Sequence, residues 1–144
     1  MRRVRFPPTM GGTSRRMVWI DLEMTGLDLE HESIIEIATV ITDSELNILA
    51  TGPNLAIKVS QELLDGMDEW NTRHHYGSGL VQRLHDDGGE LLKAEEATVK
   101  FLNEWIEPGT APLCGNSVWN DRQFLAKEMP KVLELLHYRM VDVS

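Results

Sequence analysis

Met17-Val18-Trp19-Ile20-Asp21-Leu22-Glu23-Met24-Thr25-Gly26-Leu27-Asp28 is the stretch on which the reading of this chain turns. Its first six residues, 17–22, form an apolar run with β-branched and aromatic content, the pattern of a buried strand. Asp21 and Glu23 follow one residue apart, and side chains alternate across a strand, so both carboxylates point to one face. Two oxygen ligands on one strand end suit hard divalent cations such as Mg²⁺ or Mn²⁺. An isolated Asp-x-Glu is common and mostly solvent-facing; the apolar strand before it and the Gly-containing turn after it give this pair its weight.

Working outward, residues 34–42 predict a second strand, and Asp43-Ser44-Glu45 a turn. A third strand runs from Leu46 to Ala50, and the chain continues extended to Val59 after a break at Gly52-Pro53. Links this short suggest an antiparallel meander. Leu63, Leu64, Met67 and Trp70 fall at helical spacing over 61–70, whereas 71–79 is polar and reads as a loop. Leu80 to Leu84 reads as one or two helical turns, broken by Asp86-Asp87-Gly88-Gly89. The clearest helix spans 91–106, with Leu91, Ala94, Thr98, Phe101, Leu102 and Trp105 on one face. Residues 111–116 read as a short buried strand. Ser117 is placed to cap a helix that runs to Met129, where Pro130 forces a boundary. Residues 132–136 are helical and 138–143 extended. A strand meander followed by helix, strand, helix and strand predicts an α/β fold, a mixed sheet with flanking helices.

Asp121 belongs to the helix after the short strand, about a hundred residues from Asp21. On its own it is an acid in a first helical turn, favoured by the helix dipole. Together with Asp21 and Glu23 it makes a third oxygen ligand. Phosphodiester hydrolysis commonly uses two divalent ions roughly 4 Å apart, one activating water and one steadying the leaving oxygen.

The 144 residues are one domain by length and 42% hydrophobic. No apolar run approaches the roughly 20 residues of a membrane span. The net charge is −9, and the charges are unevenly spread. Five of the 14 basic residues, Arg2, Arg3, Arg5, Arg15 and Arg16, lie in the acid-free first 16 residues, which leaves nine against 23 acids and a body of net charge −14. Such a body argues against tight nonspecific binding to long nucleic acid but not against a short substrate held through metal ions. A single cysteine, Cys114, forms no internal disulfide, which fits a reducing, cytoplasmic setting. Residues 1–16 lack apolar periodicity and read as a disordered basic extension, an over-extended start rather than a targeting peptide.

The stretch from Val18 to Leu27 resembles the first exonuclease motif of oligoribonucleases, members of the ribonuclease-H-like 3′→5′ exonucleases that use four acids and a histidine. The likeness continues through Ile34-Ile35-Glu36-Ile37-Ala38, Met67-Asp68-Glu69-Trp70-Asn71, Gly115-Asn116-Ser117, Asp121-Arg122-Gln123-Phe124-Leu125, His137-Tyr138-Arg139 and Asp142-Val143-Ser144, covering essentially everything from residue 17. The resemblance implies that Asp21, Glu23 and Asp121 are catalytic and ligate Mg²⁺ or Mn²⁺. It implies that Leu27 and Trp70 form an apolar wedge against the bases of a very short RNA, and that His75 and Ser117 lie near the substrate. It implies a homodimer in which Tyr138 and Arg139 reach the partner's site. From the residues alone Trp70 reads as a core residue of its helix, and Tyr138 as a half-buried strand tyrosine.

The family's last motif, a histidine that takes the proton of the attacking water and an aspartate that completes the metal cage, matches none of His74, His75, His85, His137 or Asp142. On this reading residues 17–144 are an incomplete exonuclease domain lacking a C-terminal helical part. The expected activity is release of nucleoside monophosphates from short RNAs, impaired in this chain. The rival expectation is a non-catalytic remnant that binds short RNA or dimerises. An endonuclease or integrase of the same fold lacks support, because those enzymes do not carry the Met-Thr-Gly-Leu and Trp70 signatures.

Overall fold

A computed structural model describes residues 15–144. Residues 1–14, most of the basic extension, lie outside the described residues. At its end Arg16 is held: its guanidinium donates to the Trp105 carbonyl and lies 5.6 Å from the centre of the Trp105 ring.

Five strands form one sheet in the order β3-β2-β1-β4-β5. They are β1 (Met17–Met24), β2 (Ile34–Thr42), β3 (Ile48–Ala56), β4 (Pro112–Gly115) and β5 (His137–Asp142). β1 to β3 form the expected antiparallel meander, and β4 and β5 add in parallel beside β1. Six helices complete the fold: α1 (Gln61–Asp65), α2 (Glu69–Gly77), α3 (Leu80–Asp87), α4 (Leu91–Trp105), α5 (Val118–Glu128) and α6 (Pro130–Glu134).

Alternation along β1 divides the sheet into two faces. Val18, Ile20, Leu22 and Met24 are buried with Ile37 and Ile41, against Ala94 and Leu102 of α4, Phe124 and Leu125 of α5, and Val132 of α6. Each of these side chains except Ala94 contributes roughly 1.5–3 kcal/mol through removal from water. The intervening residues face the other way, Trp19 and Glu23 half-buried and Asp21 exposed. Cys114 is fully buried, and burial pushes its thiol up to about 11.

The register slips between Glu23, which pairs with Glu36, and Met24, which pairs with Ile34. Ile35 is the extra residue of this bulge, and it enters a second apolar cluster with Leu64, Met67, Leu80, Val81 and Leu84. The bulge thereby joins the acidic end of β1 to the helices α1 and α3. The start of β2 is held from the other side by Glu128, whose carboxylate accepts from Ser33 Oγ at 2.9 Å and from the Ile34 N–H at 2.7 Å. Glu128→Ala strands the buried Ile34 amide and is expected to cost about 2 kcal/mol in urea unfolding. A loss below about 0.5 kcal/mol, the scale of an ordinary surface change, would contradict that tether.

Three local expectations are corrected. The polar stretch 71–79 is largely helix, not loop. Asp68 caps α2 by accepting from the Asn71 N–H at 2.7 Å, and Glu69 pairs with Arg73 one turn on. The helix read over 61–70 accordingly ends at Asp65, and its last residues start α2. β3 runs through Gly52-Pro53 because it is an edge strand, where a missing N–H is tolerated, and a register slip between Ala38 and Val40 absorbs the pair. Ser117 precedes α5 but makes no side-chain cap; it sits at φ 52°, and its own N–H donates to Asp142 Oδ1 at 3.1 Å.

Candidate active site

β1 and β4 run parallel, with Val18 beside Leu113 and Trp19 beside Cys114. β4 ends at Gly115 while β1 continues to Met24, so the turn into α5 sits next to the acidic end of β1. Gly115 permits that approach: a Cβ there would lie 3.2 Å from the Ile20 carbonyl oxygen and 3.3 Å from Val118. The first turn of α5 then carries Asp121, 6% exposed, into the field of Asp21 and Glu23.

The electrostatics record this meeting. Burial, followed by repulsion from Asp21 and Glu23, pushes the Asp121 carboxyl up to about 7. Burial raises Asp21 as well, with Glu36 adding to it. Glu23 is raised by burial and then by Asp21 and Glu36, against a lowering from His74. Among the described residues no lysine or arginine pairs with Asp21, Glu23 or Asp121. Asp21 raises Glu23, and both raise Asp121, with no intervening cation among the described residues; such hard oxygens are the donor type that divalent ions of the Mg²⁺ kind take.

Glu36 and His74 belong to this neighbourhood and escaped the sequence reading. Glu36 stands opposite Glu23 across the β1–β2 ladder and is paired with Arg83, which also donates to Asn54 Oδ1 at 2.8 Å. A lone charge in the run Ile34-Ile35-Glu36-Ile37 was the available signal, and it needed the hairpin register to acquire meaning. His74 lies one turn after Trp70, and the two rings stack at 4.6 Å, 17° apart.

Leu27 and Trp70 are 67% and 64% exposed, and both line a groove of about 400 Å³ that also includes Glu23, Asp68 and Asn71. The core reading of Trp70 is corrected by that exposure: the buried residues of its neighbourhood are Leu64 and Met67, and Trp70 points outward. His75 is 1% exposed and does not line the groove; its Nε2–H donates to the Met24 carbonyl at 2.7 Å, which fixes the last residue of β1. Burial lowers its pKa, which favours the neutral ring. Ser117 stands at the turn into α5, four residues before Asp121. Tyr138 and Arg139 lie on the edge strand β5, away from this groove; Tyr138 is 70% exposed rather than half-buried, and Arg139 lies 5.8 Å from its ring centre. Asp142 accepts from Ser144 Oγ at 2.7 Å and from the Ser117 and Ser144 amides, which hold its carboxyl below the usual range. It acts as a clamp on the turns at the ends of β4 and β5.

The sequence profile of the RNase_T family, described as an exonuclease, matches residues 18–144. An oligoribonuclease of Alcanivorax borkumensis is 56% identical over 128 residues, covering 89% of this chain and 71% of that protein. One from Xanthomonas campestris pv. campestris is 54% identical over 129 residues, covering 90% and 66%. One from Hydrogenovibrio crunogenus is 50% identical over 132 residues, covering 92% and 72%. The chain thus spans about two thirds of the length of these curated relatives. Among solved structures, exonuclease I of E. coli in complex with a dT13 oligonucleotide superposes with a TM-score of 0.59 at 15% identity, covering 76% of this chain and 22% of that one. Exonuclease I of Methylocaldum szegediense gives 0.55 at 16%, with the same coverage. At those identities the likeness is one of fold.

Proposed function

This chain belongs to the RNase_T exonuclease family, a family of divalent-metal-dependent hydrolytic nucleases, and from that premise we propose that its acidic site serves a 3′→5′ exoribonuclease acting on very short RNAs, dinucleotides above all. The observation that carries the proposal is the shared groove: the exposed apolar pair Leu27 and Trp70 opens onto Glu23, whose carboxylate stands in one field with Asp21 and Asp121. Asp21, Glu23 and Asp121 hold the ions. Two Mg²⁺ or Mn²⁺ ions held there would supply an activated water and charge stabilisation at the leaving oxygen.

The chain's own residues do the rest. Leu27 and Trp70 receive bases by stacking, which tolerates any sequence because every base has a π-face. His74 backs the Trp70 ring, and His75 holds the Met24 carbonyl, so the wedge and the acids keep a fixed relation. A groove this small takes one or two nucleotides, in keeping with an acidic body that disfavours long polyanions. We assign Ser117 to the substrate's phosphate side, and Tyr138 and Arg139, exposed on an edge strand, to the site of a second copy in a homodimer. A reduced, buried Cys114 is in keeping with a cytoplasmic enzyme. Among the described residues no helix is long and apolar enough to cross a membrane. The rival reading, a non-catalytic remnant, draws no support from relatives named for their nuclease activity.

Incubation of a diribonucleotide with Mn²⁺, followed by mass spectrometry, tests the proposal. Release of nucleoside monophosphate, slow in a chain where no histidine matches the family's base and abolished by Asp21→Ala, is expected. Hydrolysis indifferent to Asp21→Ala, or internal cuts in a longer RNA, would contradict it.

A further inference from the structure

Glu23 faces two kinds of neighbour. On one side stand the carboxylates of Asp21 and Asp121. On the other, the last turn of α2 brings up two imidazoles, and one ligand atom from each of Glu23, His74 and His75 lies within 4.8 Å of the other two. The two rings meet edge to face, 5.2 Å between centres.

His75 carries the second observation. Its Nε2 is committed to a carbonyl oxygen and must therefore bear the proton. Nδ1 is left with the lone pair, and it is buried without a hydrogen-bond partner. An imidazole with one nitrogen anchored to a backbone carbonyl and the other bare is the usual state of a metal-ligating histidine. His74 makes no side-chain hydrogen bond among the described residues and is exposed, its ring stacked on Trp70. Ligand atoms around a four-coordinate zinc lie roughly 3–4 Å apart, so atoms already within 4.8 Å of one another need to close in by at most about 2 Å.

We propose that Glu23, His74 and His75 form a separate site for a borderline divalent ion such as Zn²⁺, with one carboxylate oxygen, two imidazole nitrogens and an open position for water. Its chemistry differs from that of the all-oxygen set, because imidazole selects Zn²⁺ over Mg²⁺. Glu23 belongs to both sets. Zn²⁺ held here withdraws a carboxylate from the nuclease site and draws His74 off the Trp70 ring, so the ion inhibits. Binding stands independently of the nuclease reading; only the inhibition rests on it.

Zn²⁺ is titrated calorimetrically into the protein in excess Mg²⁺, with Co²⁺ absorption bands as a second readout. One tight Zn²⁺ per chain is expected, weakened roughly 10- to 100-fold by His74→Ala and retained by Asp121→Asn, which disables the all-oxygen set. Visible Co²⁺ bands should vanish in His74→Ala and return in part with His74→Cys, which restores a ligand. His74 is exposed on its helix, so these variants keep the fold, and circular dichroism verifies it. Zn²⁺ binding unchanged by His74→Ala, or lost equally in Asp121→Asn, would overturn the proposal and leave the Mn²⁺-dependent hydrolysis test unaffected.

Discussion

Asp121→Asn is expected to stabilise the metal-free protein and to abolish its response to Mn²⁺. Asp121 is nearly buried, and its carboxyl titrates at about 7 rather than the ordinary 3.8, through burial first and then through Asp21 and Glu23. An acid raised in the folded state leaves stability intact below its unfolded value and removes it as the pH climbs through the folded one. Without divalent ions the wild-type protein is therefore most favoured near pH 4 on this group's account, and the loss accumulates up to pH 7 and just beyond. The amide carries no charge and escapes the loss. At pH 8 the gain is on the order of 2 kcal/mol after allowance for screening by nearby water, which is roughly 5–10 °C in Tm. Mn²⁺ should raise the Tm of the wild type by mass action and leave the variant unmoved. Metal-dependent hydrolysis should fall about 10²- to 10³-fold, the scale of one lost electrostatic stabiliser at an active site. Thermal melts at pH 5 and pH 8, with and without Mn²⁺, read all of this except turnover. A variant less stable than wild type at pH 8 would mean that Asp121 serves as a structural acid.

Trp70→Ala separates binding from folding in the opposite way. A buried tryptophan truncated to alanine costs about 3–5 kcal/mol of stability. Trp70 is 64% exposed, so its loss is expected to change unfolding by less than about 0.5 kcal/mol. Affinity for a dinucleotide, measured by calorimetry with Ca²⁺ in place of a catalytic ion, should fall by about 1–3 kcal/mol, or roughly 5- to 150-fold. Trp70→Phe keeps a π-face and should recover most of it. Destabilisation on the core scale with affinity unchanged would return Trp70 to the interior.

What the chain displays openly is what local periodicity encodes. The apolar runs of β1 and β2 and the one-sided face of α4 are period-2 and period-3.6 patterns over eight or more residues, and the structure follows them closely. Residues 71–77 escaped because polarity was taken for irregularity. That helix buries little beyond His75 and is held by an Asp68 cap and a Glu69–Arg73 pair, neither of which leaves a hydrophobic stripe. Ser117 had the residue type of a cap, yet its backbone is left-handed and its amide is claimed by Asp142, a contact across 25 residues that no window contains.

The site divides along the same line. Asp21 and Glu23 share a strand and announce themselves by alternation. Asp121 joins them only through the parallel pairing of β1 with β4, which periodicity does not specify; its place at the start of a helix after a short buried strand suggested a third ligand, and likeness to known exonucleases strengthened that reading. Glu36 is recruited by the hairpin register and His74 by the helix that was read as loop. The acids, the wedge and the imidazoles thus meet at one place for three separate reasons: strand alternation, a parallel crossover, and a capped polar helix.

Anomalous diffraction from crystals soaked in Mn²⁺ addresses the joint grip of these acids most directly. Density peaks are expected among the carboxylates of Asp21, Glu23 and Asp121, lost in Asp121→Asn. A Mn²⁺ ion bound without Asp121, or bound only at another surface of the sheet, would contradict the account.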